Sequence, residues 1–378
     1  MRAAVVKSRP TWLEGGFGRL SEGGPATETF LRGEVHLGLD WTPTESWLVH
    51  AHGVAHGEPS SYRGQQAGLV EAFIQFRPEL TPATALKLRA GIFFPPTSLE
   101  NSDPLWQSPY TISLSLLNSW IGEEVRTIGA EAALQRRGER HRLELAGTAF
   151  VANDTSGTLL AWRGWAMGDR LLTYGETLPL PPVPGLQPDG PFSEQRDDGT
   201  HPLDELDSRV GYAARARWSL GDSLRLQGAF TDNRGDRGLH RGQYAWQTRF
   251  GQAGLQLRLG SEVTLLAEAA WGDTGMGPPM PGGPEVQLRF RVGYALLSWN
   301  RGGFRLSARL DRFDNEDRDT TGDPNGESGW GLTTAAFWKP RPFVRVGIEY
   351  AAVRGERPAA SPNPEQEQRA QFEARLTF

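Results

Sequence analysis

The sequence predicts an all-β chain that closes on itself as an antiparallel barrel of about sixteen strands, with fourteen as the alternative count. Two observations carry this reading. Segments of about ten residues keep apolar side chains on one parity and charged or polar ones on the other, the period of a strand with one face in an apolar medium. Short turns such as LGDS, LGSE, NRGG and KPRP alternate with much longer connections, as expected when one rim of a barrel carries tight turns and the other carries loops. Even strand numbers return both chain ends to the same rim.

Composition agrees with a barrel that spans a bilayer. No run of about 18 apolar residues exists, so a transmembrane helix is excluded. Hydrophobic residues make 38% of the chain and the mean hydropathy is -0.47, which leaves spanning strands allowed because half of each strand is polar. Cysteine is absent, which removes disulfides and thiolate metal sites. The 46 glycines suit tight turns, and the 13 tryptophans and 17 phenylalanines suit interfacial girdles. A net charge of -5 is too mild for a nucleic-acid partner. The opening MRAAVVKSRPTWLEGG lacks the apolar core of a secretory signal; either the start is placed late, or the chain begins after its signal, or the protein is not exported, and one of the first two is expected.

Taken in order, Trp12 to Leu20 reads as a weak first strand. In LRGEVHLGLDW, Leu31, Val35, Leu37, Leu39 and Trp41 oppose Arg32, Glu34 and His36. After a turn at Pro43, Trp47, Val49 and Ala51 oppose His50, His52 and His56. Val70, Ala72, Ile74 and Phe76 then oppose Glu71 and Gln75. Leu86, Leu88, Ala90, Ile92 and Phe94 oppose Lys87 and Arg89. The rhythm stops from Pro95 to Glu124, a long insertion of the functional kind. Strands resume at VRTIGAEAALQ and RLELAGTAFV. A second insertion, Ala152 to Leu206, holds a short helix candidate in LLAWRGWAMGDRLL and a proline-rich stretch, alternatively a linker. The second half is more regular. YAWQTRFGQAGLQLRL changes parity, which predicts a bulge near Gly251 or Gly254. The chain ends on AQFEARLTF, with Phe372, Ala374, Leu376 and Phe378 on one face.

The terminal phenylalanine on an apolar face resembles the last strand of bacterial outer-membrane β-barrels. RAGIFFPPTSLEN resembles the segment of phosphate-selective-type porins in which a glycine-bearing strand enters a Pro-Pro and Leu-Glu loop. The match covers about a dozen residues, the strand rhythm and the C-terminus, and is weak for phosphate as substrate. It implies one barrel over residues 1–378 in the outer membrane of a Gram-negative cell, in contact with lipid bilayer and lipopolysaccharide. It also implies recognition of Phe378 by the barrel-assembly machinery, a homotrimer, and one long loop (95–124 or 152–206) that constricts a pore.

Parity places a basic set on the polar face: Lys87, Arg89, Arg142, Arg215, Arg217, Arg225, Arg249, Arg289, Arg291, Arg305 and Arg309, with acids Glu71, Glu131 and Glu144. Rings of cationic side chains favour anions, so these pore-lining candidates predict a weak anion preference. The alternative is that arginines and acids pair across the lumen. His50, His52 and His56 share a strand face and are candidate transition-metal ligands, with polar lumen histidines as the plainer reading. Asp311, Asp314, Glu316, Asp317, Asp319 and Asp323 read as an acidic loop without EF-hand spacing. No phosphate-binding glycine loop, zinc-protease helix or G-x-S-x-G elbow occurs. No cofactor and no catalytic residue is therefore expected. The function predicted is a passive channel for small hydrophilic solutes. A soluble or surface β-rich protein that binds a ligand such as carbohydrate, and an outer-membrane enzyme, are the alternatives.

Overall fold

The computed structural model describes residues 1–24, 26–57, 65–195, 199–277, 285–321, 324–358, 361 and 363–378. Among them sixteen strands close a barrel: β1 (Arg2–Lys7), β2 (Glu28–Thr44), β3 (Trp47–Gly57), β4 (Ala67–Phe76), β5 (Thr84–Phe93), β6 (Thr127–Arg137), β7 (His141–Val151) and β8 (Gly211–Leu220) form one half. The other half is β9 (Leu224–Asp232), β10 (Gln247–Leu259), β11 (Val263–Met276), β12 (Val286–Arg301), β13 (Phe304–Asp317), β14 (Glu327–Arg341), β15 (Val344–Glu356) and β16 (Glu365–Leu376). Each strand pairs antiparallel with its neighbours, and a short piece, Glu79–Thr81, pairs with β5. Closure falls to β1, whose Ala3 lies opposite Leu31 on one side and Phe372 on the other. Residue 1 donates its amino group to the Ala374 carbonyl at 2.9 Å, and the Thr377 N–H reaches Phe343 O at 3.0 Å. Both chain ends therefore lie on the short-turn rim.

The count of about sixteen holds, but the first strand is not Trp12–Leu20. That stretch carries a single 3₁₀ turn, Trp12–Glu14, and lies buried inside the barrel. The true β1 was illegible because apolar Ala3 and Val5 alternate with equally apolar Ala4 and Val6. Both faces are apolar because Ala4 and Val6 pack on material inside the lumen.

The short turns follow from local chemistry. In NRGGF the two central residues, Gly302 (φ +58°) and Gly303 (φ +83°), take the left-handed values that a two-residue hairpin turn of matching twist requires. Aromatics gather on the outer face near this rim: Trp47 packs on Phe76 at 4.7 Å and Phe304 stacks on Trp338 at 6.0 Å. Above them Leu31, Val35, Leu37, Leu306, Leu310 and Ile348 are each more than half exposed, and among the described residues no second sheet covers them. This is the outer band of a membrane barrel rather than half of a soluble sandwich.

Alternation inside departs from expectation at several places. Between β3 and β4 the register shifts after His52, so Glu71 opposite it and Val70 beside it are both buried. Val70 is therefore not on the lipid face. Phe94 also turns inward, 2% exposed, and stacks on Trp106 at 4.1 Å. No bulge interrupts β10, which pairs in continuous register with β9 and β11. Phe250 points inward and Arg249 outward. Strand β13 runs through Asp317, so the acidic run begins as strand; Asp323 lies outside the described residues.

Substituting an exposed belt residue tests the orientation. Leu37→Arg is expected to destabilise the barrel in vesicles by about 2–4 kcal/mol relative to Leu37→Ala, read from urea unfolding with gel mobility as the probe. Equal stability of the two variants would place Leu37 in water.

Candidate functional site

Both long insertions fold into the lumen. The first, 94–126, carries the short helix α1 (Leu116–Trp120) and a π turn over Ile121–Val125. The second, 152–210, carries α2 (Thr158–Trp162) at the place where a helix was expected. Leu116, Leu117, Trp120, Ile121, Trp165 and Met167 pack with the inward faces of Phe250, Phe290, Val292 and Phe313. The β10–β15 side of the lumen is thus an apolar core, not a wet wall.

This packing explains three misplaced arginines. Arg249, Arg289 and Arg291 were expected to line the pore. Their neighbours Phe250, Leu288, Phe290 and Val292 are buried inward, so strand alternation puts these arginines on the outer face. They sit beyond the apolar belt, where register sets Asp232, Arg249, Asp273, Arg289 and Glu316 side by side across five strands. Arg289 approaches Asp273 at 3.4 Å. Neighbouring positions of alternating sign satisfy charges that have left the hydrocarbon.

Ion pairs bolt the first insertion to the wall. Arg309 is fully buried and ion-paired with Glu100 (2.5 Å) and Asp311 (2.9 Å), and it donates to the Ser113 and Leu114 carbonyls. Asp311 accepts the Leu116 N–H at 3.0 Å, and Ser115 caps α1 through the Asn118 N–H. Glu349 accepts the Ser113 N–H, and Glu268 holds Asn118 at 3.2 Å. The second insertion is held by Asp169, which pairs with Arg32 (2.7 Å), Arg369 (3.1 Å) and Arg2 (3.6 Å). Burial pushes the Asp169 carboxyl up, yet these three guanidinium groups hold it well below the usual carboxylate range. Glu124 ties the insertions to each other by accepting N–H groups from Gly157 (3.1 Å), Leu159 (3.0 Å) and the Trp120 indole (2.9 Å). Burial pushes Glu124 up to about 7, against those three donors.

Polar and charged side chains line the β2–β9 side of the lumen. Lys87 (3.3 Å), Arg89 (3.2 Å) and Arg215 (3.2 Å) converge on Glu131, and Arg215 also binds Glu144. Arg217 donates to the Pro96 carbonyl at 2.7 Å, and on the other side, on β13, Arg305 lies 4.9 Å over the Tyr110 ring. Pairing across the lumen therefore describes much of this set. Arg142, Arg225 and Arg258 differ: among the described residues none has a carboxylate within 4.0 Å. Arg142 and Arg225 both lie opposite Ser219, and Arg258 donates its backbone N–H to Ser223.

The three candidate metal histidines do not converge. His50 pairs with Asp40 at 2.6 Å, His52 faces His36 at 3.0 Å, and His56 lies between Glu34 and the Leu171 carbonyl. His36 and Glu34 complete this group, and the only sequence signal for them was shared parity with Arg32. Asp154, Glu205 and Asp207 do bring oxygens within 4.8 Å of one another. Those oxygens accept N–H groups from Leu206, Ala152 and Asp236, a clasp at the base of the second insertion. His240 binds Asp236, and His141 stacks on Trp218 at 5.7 Å.

No protein-family model matches the chain, and no curated protein matches it by sequence. Solved structures do match in fold. The anion-selective porin from Comamonas acidovorans aligns over 100% of this chain and 99% of its own with TM-score 0.55 and 9% identity. The outer membrane channel DcaP of Acinetobacter baumannii aligns over 100% and 95% with TM-score 0.53 and 8% identity. OmpT of Vibrio cholerae, in a trimer form, aligns over 100% and 97% with TM-score 0.53 and 8% identity. The chain has the fold of an outer-membrane porin barrel.

The Glu124 junction has a pH signature. Between about pH 4.5 and 7 the folded protein retains a proton that the unfolded chain has lost, so stability falls as pH rises through this window and then levels off. The expected loss is roughly 2–4 kcal/mol. Melting temperatures of wild type and Glu124→Gln across pH 4 to 8 check it, because the variant is expected to lack that slope.

Proposed function

We propose that the protein is an outer-membrane channel for passive diffusion of small hydrophilic solutes, with a weak preference for anions. The observation that carries this reading is the asymmetry of the lumen. One side is filled by packed apolar residues, whereas the wall from β5 to the short-turn end of β10 keeps cationic side chains, and among the described residues Arg142, Arg225 and Arg258 have no carboxylate within 4.0 Å. A solute path along that wall passes Lys87, Arg89, Arg217, Arg142, Arg225 and Arg258. Unpaired guanidinium groups lower the entry energy of negative solutes, and paired ones contribute little net field. The two insertions act as the constriction together, because Glu124 makes them one body. A homotrimer fits the trimer form described for the Vibrio cholerae barrel. Lipid, lipopolysaccharide and the assembly machinery at Phe378 are the surroundings that such a barrel requires.

Reversal potentials in a planar bilayer under a salt gradient test the selectivity. Wild type is expected on the anion side of zero, and the triple variant Arg142→Ala, Arg225→Ala, Arg258→Ala is expected to move toward cation preference. A wild-type channel that prefers cations refutes the anion assignment. Shortening the first insertion by removing 101–107 is expected to raise single-channel conductance. Unchanged conductance would remove that segment from the constriction.

A further inference from the structure

Charge is unevenly matched on the outer face of the barrel. Nearest the long loops, the row Asp232, Arg249, Asp273, Arg289 and Glu316 alternates in sign. One pleat closer to the short-turn rim, register sets Arg291 beside Trp271 and Asp314, with Ser328 and Glu356 following across the next two strands. One pleat closer again, Arg312 of β13 lies beside Trp330 of β14, and Trp330 lies beside Arg354 of β15. This third row contains no acid, and its ends are Gly293 and Gln366. Arg312 and Arg354 are exposed. Among the described residues, Arg291, Arg312 and Arg354 have neither a carboxylate within 4.0 Å nor a side-chain hydrogen bond.

The height of the third row decides what it meets. One pleat below it stand Leu310, Leu332 and Ala352, neighbours in register, and Leu310 is exposed on the apolar belt. Exposed Trp271 and half-buried Trp330 stand at the same edge, and such aromatics mark the boundary between hydrocarbon and head groups. Arg312 and Arg354 are two strands apart, so their backbones are separated by about 9.4–9.8 Å. Each guanidinium presents a planar fork of donors that matches phosphate, and nothing on the protein uses it. Above the row opens a cleft of about 500 Å³, lined in part by Arg291, Asp314, Ser328 and Glu356. Its carboxylates disfavour a second anion and accept hydrogen bonds from hydroxyl groups. The complementary molecule therefore carries phosphate at the edge of the belt and hydroxyls above it.

We propose that Arg312 and Arg354, on either side of Trp330, seat a phosphate of a membrane glycolipid, whose sugar hydroxyls enter the cleft above and whose acyl chains lie on the belt below. The seat rests on the outer-membrane location of the barrel and not on conduction. Acyl chains hold the ligand against the belt, which raises its effective concentration at the arginines above that of free phosphate. Arg249 makes no such demand, because Asp232 and Asp273 flank it in register.

Lipid binding by the full-length protein in dodecyl maltoside tests the seat. The probes are lipid A carrying its phosphates, the same lipid with the phosphates removed, and inorganic phosphate. Wild type is expected to bind the phosphorylated lipid at least about tenfold more tightly than the dephosphorylated one. The double variant Arg312→Ala, Arg354→Ala is expected to lose about tenfold in affinity, the effect of about one charge-assisted hydrogen bond. Arg249→Ala, outside the cleft, is expected to keep wild-type affinity. Equal binding of the two lipids overturns the seat, as does a double variant that binds like wild type. Displacement of the lipid by millimolar inorganic phosphate assigns the arginines to free anions and overturns the lipid assignment. So does a lipid-free oligomer that the double variant loses in sedimentation, because the row then faces a second copy. If the double variant fails to fold by gel mobility, the comparison of the two lipids on wild type decides. Bilayer conductance separates this reading from the channel. A protein that prefers the phosphorylated lipid but never conducts defeats the channel alone, whereas a conducting barrel indifferent to lipid phosphate defeats the seat alone.

Discussion

In hydrocarbon an unpaired backbone N–H or C=O finds no water, and everything else in this structure depends on closing the sheet so that none is left. The closing piece is a strand of only six residues, Arg2–Lys7, held on both sides by β2 and β16. Its first side chain does further work. Arg2 reaches Glu34, Asp169 and Glu373, so the same short strand that removes the sheet edges also meets the ion pairs that fix the second insertion. The wall and the second insertion are thus fastened at this seam.

A barrel of this size has room for more than side chains, and two insertions occupy it. They do so by two kinds of interaction that divide the lumen. Against β10–β15, aromatic and aliphatic residues such as Trp120, Phe290 and Phe313 exclude water. Where the insertions meet the wall through charge, each ion is met by several partners. Arg309 has two carboxylates and several oxygens, and Asp169 has three guanidinium groups. Burial of a charge costs several kcal/mol unless it is paired and hydrogen-bonded. These clusters therefore act as fixed bolts, and their loss leaves an isolated ion rather than a looser contact.

The same charge economy sorts the arginines by role. Those that meet acids, such as Arg89, Arg215 and Arg309, shape the interior. Arg142, Arg225 and Arg258, near the short-turn rim, have no carboxylate within 4.0 Å among the described residues. Arg249, Arg289 and Arg291 belong to neither class, since they stand outside the barrel beyond the apolar belt. Identical side chains thus serve three environments, and the environment decides the charge each one presents. The histidines also differ in surroundings: His50 contacts Asp40, while His56 lies between Glu34 and the Leu171 carbonyl.

Strand period, turn chemistry and the absence of long apolar runs determined the barrel, its approximate strand number and which rim carries the loops. These are local properties, visible wherever one face meets hydrocarbon and the other meets polar atoms. The sequence likewise marked both insertions and the cationic set on β5–β9. Tertiary structure alone decided the rest. It put Phe250, Phe290 and Val292 inward and their arginine neighbours outward, because packed loops make the lumen as apolar as lipid and alternation then loses its sign. It chose Arg2–Lys7 as the closing strand, since a segment apolar on both faces carries no period. It also joined His36, Glu34 and His56 to Leu171, a contact across 115 residues that no local pattern encodes.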